Sequence, residues 1–164
     1  MFDIDVQDAI FKSIQTEKNA MNFYQFGAGR MKNPDAVKVF ELLAREEREH
    51  AGHFHKIYQR NDIPDLEAFL NTPPDHASDW MASLAKTIDA DFTEQKAMEL
   101  AMEKELGLEK ALRETAARIA DPQVRAVFEL NARETRNHYE MIESEYARLM
   151  AMVHESDMDT YVRE

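Results

Sequence analysis

Cysteine is absent from the 164 residues, which excludes disulfides, thiolate zinc sites, iron–sulfur clusters and a cysteine nucleophile. Glycine and proline are scarce, with four and five residues, so long helices are expected and a turn-rich all-β fold is not. There is no run of about 18 apolar residues, hence no expected membrane span. Bases are few: 20 Lys and Arg stand against 32 Asp and Glu, a net charge of −12. That balance argues against a nucleic-acid backbone or an anionic membrane as partner. The opening Met1-Phe2-Asp3-Ile4-Asp5 carries acids where an export signal needs bases and an apolar stretch, so the expected address is the cytoplasm.

What is present is helical periodicity. Four long segments are expected at about Val6–Arg30, Asn33–Arg60, Asp91–Ala120 and Asp121–Val153. Asp3 or Asp5 can cap the first, and Asn33-Pro34 and Asp121-Pro122 place a capping residue before a proline at the first helical position. Asp91-Phe92-Thr93-Glu94 reads as a capping box. Each segment would be about 37 Å long. Connections of only a few residues make hairpins of about 5–61 and 91–153. Between them, about 61–90 forms a crossover with Pro64, Pro73 and Pro74, in which Leu66–Leu70 and Trp80–Leu84 are candidate short helices. The bundle would occupy 1–154, and 155–164 is expected as a polar C-terminal tail.

An internal repeat supports this organisation. At an offset of 88, Val39–His50 aligns with Val127–His138 without a gap, and nine of the twelve positions are identical. The same offset pairs Pro34 with Pro122, Arg30 with Arg118 and Glu17 with Glu105. The two hairpins are copies of one unit.

The apolar stripes that should face the core contain metal-capable side chains. On the second helix the stripe is Phe40, Leu43, Glu47, His50, Phe54 and Ile57; on the first, Ile10, Ile14, Glu17, Met21 and Tyr24. The third has Met98, Met102, Glu105, Glu109 and Leu112, and the fourth Phe128, Asn131, Thr135, His138, Ile142 and Leu149. Unpaired carboxylates in a dry interior cost several kcal/mol each and repel one another, so cations are expected among them. Glu with His suits iron or manganese, with zinc as an alternative. The bland alternatives are a solvated face for Glu47 and His50, a buried ion pair for Glu17 and Glu105, and a hydrogen-bonded core histidine for His138. His53, His55, His76 and His154 fall off the stripes and are expected in solvent.

Glu17-x-x-Ala20-x-x-Phe23-Tyr24, followed by Leu43-Ala44-x-Glu46-Glu47-x-x-His50, resembles the ferritin-like di-iron carboxylate proteins, and within them the rubrerythrin branch. The resemblance implies an all-α, ferritin-like four-helix bundle of two repeated antiparallel hairpins joined by the long crossover. It also implies a di-iron centre that reacts with hydrogen peroxide or dioxygen. By that similarity Glu17 and Glu105 are terminal carboxylates, Glu47 a bridge, and His50 and His138 nitrogen ligands. Tyr24, on the first helix's stripe, is a candidate proton or hydrogen-bond donor, with an ordinary core tyrosine as the alternative. Full rubrerythrins add a cysteine-ligated rubredoxin module. These residues contain no cysteine, so the resemblance implies an external electron donor such as a rubredoxin-like carrier. The long crossover suggests a homodimer formed by hairpin exchange.

One position departs from the pattern: Thr135 stands where the repeat has Glu47. Two ferrous ions bring four positive charges, while Glu17, Glu47 and Glu105 bring three negative ones. Glu109, one turn beyond Glu105, is the expected fourth carboxylate. Glu134 is the other candidate, turned by about 100° from the stripe; the alternative for both is an ordinary surface acid with an i,i+4 partner. The alternatives to redox turnover are an iron-sequestering protein with a degenerate site, or a bundle that keeps only an interaction role.

Overall fold

The computed structural model describes the backbone of residues 4–91 and 93–162 and the side chains of residues 4–87 and 93–152. Among the described residues six helices follow one another: α1 (Val6–Arg30), α2 (Pro34–Lys56), α3 (Leu66–Leu70), α4 (Asp79–Asp91), α5 (Glu94–Ala116) and α6 (Pro122–Val162). Among the described residues there is no strand, and no helix is long and apolar enough to cross a membrane.

The helix starts follow capping chemistry. The Asp5 carboxylate accepts from Asp8 N–H, and Asn33 Oδ1 accepts from Asp35 and Ala36 N–H, with Pro34 opening α2. Asp121 Oδ1 accepts from Gln123 N–H at 2.9 Å. Such a cap contributes about 1 kcal/mol. The start of α5 differs from expectation. Thr93 caps it, accepting from Lys96 N–H at 3.1 Å, while Phe92 and the Asp91 side chain lie outside the described residues. The Glu94 carboxylate does not close a capping box; it accepts from the backbone N–H of Lys32 and Asn33. A carboxylate expected to serve its own helix therefore ties α5 to the α1–α2 loop.

The ends move too. The α2 helix stops at Lys56 rather than near Arg60. Beyond it Gln59 N–H donates to Gln7 Oε1 at 2.8 Å and Arg60 pairs with Asp5 at 3.0 Å, so contacts with the start of α1 replace the last helical turn. The α5 helix stops at Ala116 instead of near Ala120, because the chain turns to bury Ile119. At the other end α6 runs to Val162, past the expected end near Val153, so the described backbone of the segment expected as a tail is helical.

The α1–α2 and α5–α6 hairpins pack against each other through α2 and α6, and α4 packs on both α1 and α5. The core falls into two apolar clusters. One holds Met21, Phe23, Tyr24, Phe40, Leu43, Trp80, Leu84, Met98 and Ile142. The other holds Ile10, Ile14, Phe54, Leu112, Ile119, Phe128 and Ala132. Each of α1, α2, α5 and α6 passes from one cluster to the other through a fully buried polar layer: Glu17, Glu47, His50, Glu105, Asn131, Thr135 and His138. Burying a large apolar side chain contributes about 1.5–3 kcal/mol. The two clusters thus supply the driving force that desolvates the layer between them. Trp80 of α4 stacks edge-on against Phe23 at 5.2 Å. A groove of about 340 Å³ between α1 and α5 touches Glu17, Leu108 and Leu112.

Candidate metal centre

Helical spacing assembles the polar layer. Residues three apart share a face, so α2 presents Glu47 and His50 together; α1 adds Glu17, α5 Glu105 and α6 His138, all buried. The two imidazoles stack with centroids 4.9 Å apart and planes 10° from parallel. Both Nδ1 atoms face the carboxylates. His138 Nδ1 lies 2.8 Å from Glu47 Oε1 and 3.7 Å from Glu105 Oε1. His50 Nδ1 lies 3.6 Å from both Glu17 Oε2 and Glu47 Oε2. Glu47, between the two histidines, is the geometric centre. Tyr24 O–H donates to Glu105 Oε1 at 2.5 Å, so this tyrosine reaches the cluster through a carboxylate.

The protons of this cluster are redistributed by burial and by neighbours. Burial, reinforced by the Glu47 charge, holds Glu17 well above the usual carboxylate range and raises Glu105. Burial pushes Glu47 up as well, but the adjoining Glu17 carboxyl and the imidazoles of His138 and His50 outweigh it and hold Glu47 well below that range. Burial alone would lower His50; its contacts with Glu17 and Glu47 carry it up to about 11. His138 rises for the same reason, through Glu105, Glu46 and Glu47. Protons shared among carboxylates and imidazoles are what a cation would displace.

The residues present fit a metal. Both oxygens of Glu17, Oε2 of Glu47, Oε2 of Glu105 and both nitrogens of His50 are buried without a hydrogen-bond partner. Native interiors rarely leave such groups unpaired, at about 1–3 kcal/mol each and more when charged. Ligand atoms of Glu47, His50 and His138 lie within 4.8 Å of one another. Oxygen and imidazole nitrogen together suit divalent first-row metals.

The remaining candidates lie elsewhere. Glu109, expected as the fourth carboxylate, is held by guanidinium groups: Arg113 at 3.0 Å and Arg136 at 3.6 Å. That pairing satisfies its charge away from the cluster, which corrects the expectation drawn from its direction on α5. Glu134 does reach a histidine, but on the side away from the carboxylates: its Oε2 lies 2.6 Å from His50 Nε2, off the N–H direction. Thr135 is buried and its hydroxyl donates to Asn131 O at 2.7 Å, so it offers no charge. His53, expected in solvent, is half-buried 6.0 Å from the His50 ring and 3.4 Å from Asn131 Oδ1. Sequence reasoning misses Glu46, whose Oε1 lies 3.4 Å from His138 Nε2. Its identity with Glu134 across the repeat was the available signal.

The family model described as Rubrerythrin matches residues 8–146, which spans both hairpins and the crossover. The chain belongs to the rubrerythrin family. Neither a curated protein nor a solved structure matches it. In this rubrerythrin-family chain, the buried group of Glu47, His50 and His138, flanked by Glu17 and Glu105, is the candidate metal site.

Proposed function

We propose that this chain binds iron at the Glu17, Glu47, His50, Glu105 and His138 cluster and acts as an oxidoreductase toward hydrogen peroxide or dioxygen. The carrying observation is the set of buried, unpartnered carboxylate oxygens of Glu17, Glu47 and Glu105, with His50 Nδ1 beside them, between two apolar clusters. Ferrous iron held by these residues would supply the two electrons that, with two protons, reduce one hydrogen peroxide to two waters. The protein's share is positional. Glu47, flanked by both histidines, is the bridging candidate, and Glu17 and Glu105 close the two sides. Tyr24 keeps Glu105 Oε1 oriented. The groove that ends on Glu17 gives a small oxidant an approach from solvent. Electrons would come from a separate carrier protein, and the long crossover is compatible with a hairpin-swapped homodimer.

A second reading has its own support. The Thr135 hydroxyl is turned to the backbone and Glu109 is bound by arginines, which leaves three carboxylates for the cluster. This favours a site that holds one ion and sequesters iron without turnover. Anaerobic ferrous titration followed by stoichiometric peroxide separates the two readings. Two irons per chain, oxidised faster than free ferrous ion, is the expected result. One iron per chain with no acceleration supports sequestration, and no binding defeats both.

A further inference from the structure

Of the two outer carboxylates of the cluster, one has a hydroxyl partner and the other has none. Tyr24 O–H donates to Glu105 Oε1 at 2.5 Å, while neither oxygen of Glu17 has a hydrogen-bond partner. The repeat explains the difference. The residue 88 positions after Tyr24 is Leu112, which lines the α1–α5 groove together with Glu17. Tyr24 is fully buried. Its ring lies edge-on to Phe23 at 5.1 Å, to Phe40 at 5.0 Å and to Trp80 at 6.0 Å. These rings keep water from the phenol, so its proton has Glu105 as acceptor. Trp80 is the one tryptophan of the sequence. It is 5% exposed and lines a second groove, of about 430 Å³, with Asn19, Asp79 and Lys104. An oxidisable phenol bonded to a candidate ligand thus packs against an oxidisable indole that reaches a groove. Leu112 cannot be oxidised in this way, so the feature belongs to the Glu105 side alone.

We propose that Tyr24 and Trp80 form a one-electron path between the Glu105 side of the metal site and the groove at Trp80. Hydrogen peroxide takes two electrons and two protons to become two waters. Where only one of those electrons is available at the site, Tyr24 supplies the other, and both protons come from water. The phenol proton passes to Glu105 Oε1 along the existing hydrogen bond. Trp80 then gives an electron to the tyrosyl radical, which recovers its proton from Glu105, and the indole N–H proton leaves to water in the groove. A small soluble reductant of the thiol or phenol class restores Trp80 with one electron and one proton. A site with a single ferrous ion can thereby complete the reduction without releasing hydroxyl radical. The oxidant arrives on the Glu17 side and the missing electron on the Glu105 side. This inference rests on the metal reading given under Proposed function.

The first measurement uses the full chain without metal. Azide radical, made by pulse radiolysis, takes one electron from Trp80, and the indole proton goes to water. In wild type the indole-radical band is expected to convert into a phenoxyl band, at a first-order rate independent of protein concentration. Tyr24→Phe should lose that conversion, and Trp80→Phe should lose the indole band itself. Tyr139, on α6 under Arg136, is the control, and Tyr139→Phe should convert as wild type does. The second measurement loads one equivalent of ferrous ion and adds hydrogen peroxide, with freeze-quench electron paramagnetic resonance and a hydroxyl-radical trap. Wild type should show a tyrosyl signal and leave the trap empty. Tyr24→Phe should lose the signal and fill the trap, and Trp80→Phe should keep the signal but prolong its life. Circular dichroism checks folding, and Trp80→Phe keeps the test informative if Tyr24→Phe is unfolded. Absence of conversion in wild type, or conversion unchanged in Tyr24→Phe, would overturn the proposal and leave the metal reading standing. A tyrosyl lifetime unchanged in Trp80→Phe would do the same. A wild type that binds no ferrous ion defeats the metal reading, and the role of the path falls with it even where conversion without metal persists.

Discussion

The two hairpins share nine of twelve residues along their second helices, yet they meet the polar layer with different chemistry. In the first, α2 offers Leu43, Glu47 and His50. In the second, α6 offers Asn131, Thr135 and His138. Both substituted residues on α6 fold their polar groups back onto their own helix: Asn131 Nδ2 donates to Val127 O at 2.7 Å, and Thr135 Oγ1 donates to Asn131 O at 2.7 Å. Leu43 needs no partner, and Glu47 spends one oxygen on His138 and leaves the other unpaired. The α2 helix thus carries a full carboxylate–imidazole motif under electrostatic tension, while α6 carries its histidine and otherwise satisfies its own polar groups. The repeat supplies a symmetric frame, and the two differences at Asn131 and Thr135 make the site within it asymmetric.

That asymmetry can be broken most severely at its centre. Glu47→Ala should lower metal affinity by at least about 100-fold, since the carboxylate between the two histidines is lost. Thr135→Ala, at the equivalent place, should leave metal affinity within about threefold. Equal losses in a chelator-competition titration would mean that the hairpins contribute alike. The reverse change sharpens the same comparison. Thr135→Glu restores the repeat and should raise the stoichiometry measured by metal analysis. After chelation it should cost on the order of 3 kcal/mol in urea unfolding, because another buried carboxyl lacks a counter-charge. A variant with unchanged stoichiometry would show that backbone spacing, and no missing ligand, limits the site.

The chelated protein should also report its shared protons through pH. His50 rises from 6.5 to about 11 on folding, so its contribution to stability is whole below pH 6.5 and is lost as the pH climbs toward 11. Glu17 and Glu105, raised from 4.5, act with the same sign from lower pH upward. Glu47, depressed, acts oppositely: its contribution is present above 4.5 and fades as the pH falls through its lowered value. Urea midpoints of the chelated chain should therefore decline between pH 6.5 and 11, and metal should flatten that decline. A chelated chain with a level profile across this range would contradict the proton sharing.

The smallest predicted effects concern helix packing. A Cβ on Gly27 would meet the Phe40 ring at 2.8 Å, and that ring is fully buried. Overpacking costs about 1–3 kcal/mol, offset by up to about 1 kcal/mol of helix propensity. Gly27→Ala should then destabilise by about 1 kcal/mol. The second hairpin has Thr115 at this place, so its helices need no such close approach. Gly107, with nothing within 4 Å of the added atom, should gain about 0.5–1 kcal/mol as Ala. Opposite signs in thermal unfolding confirm that α1 and α2 touch at Gly27; like signs would refute it.

Much of this molecule could be read without coordinates because it is periodic and repeated. Helical spacing alone is enough to align Glu17, Glu47, Glu105 and His138 on inward faces, since a helix fixes direction locally. The caps at Asp5, Asn33 and Asp121 are equally local. What sequence could not decide is which charged neighbour each side chain finds across a helix boundary. Glu109 points inward by periodicity, yet Arg136 of another helix and Arg113 of its own claim it. Glu94 reads as a capping residue, yet the loop between α1 and α2 takes it. Glu46 carries no local sign of function, because its partner histidine lies on the other hairpin. Local geometry is written in the order of residues. Pairing between long charged side chains depends on tertiary distances of a few ångströms, and only the packed bundle sets those.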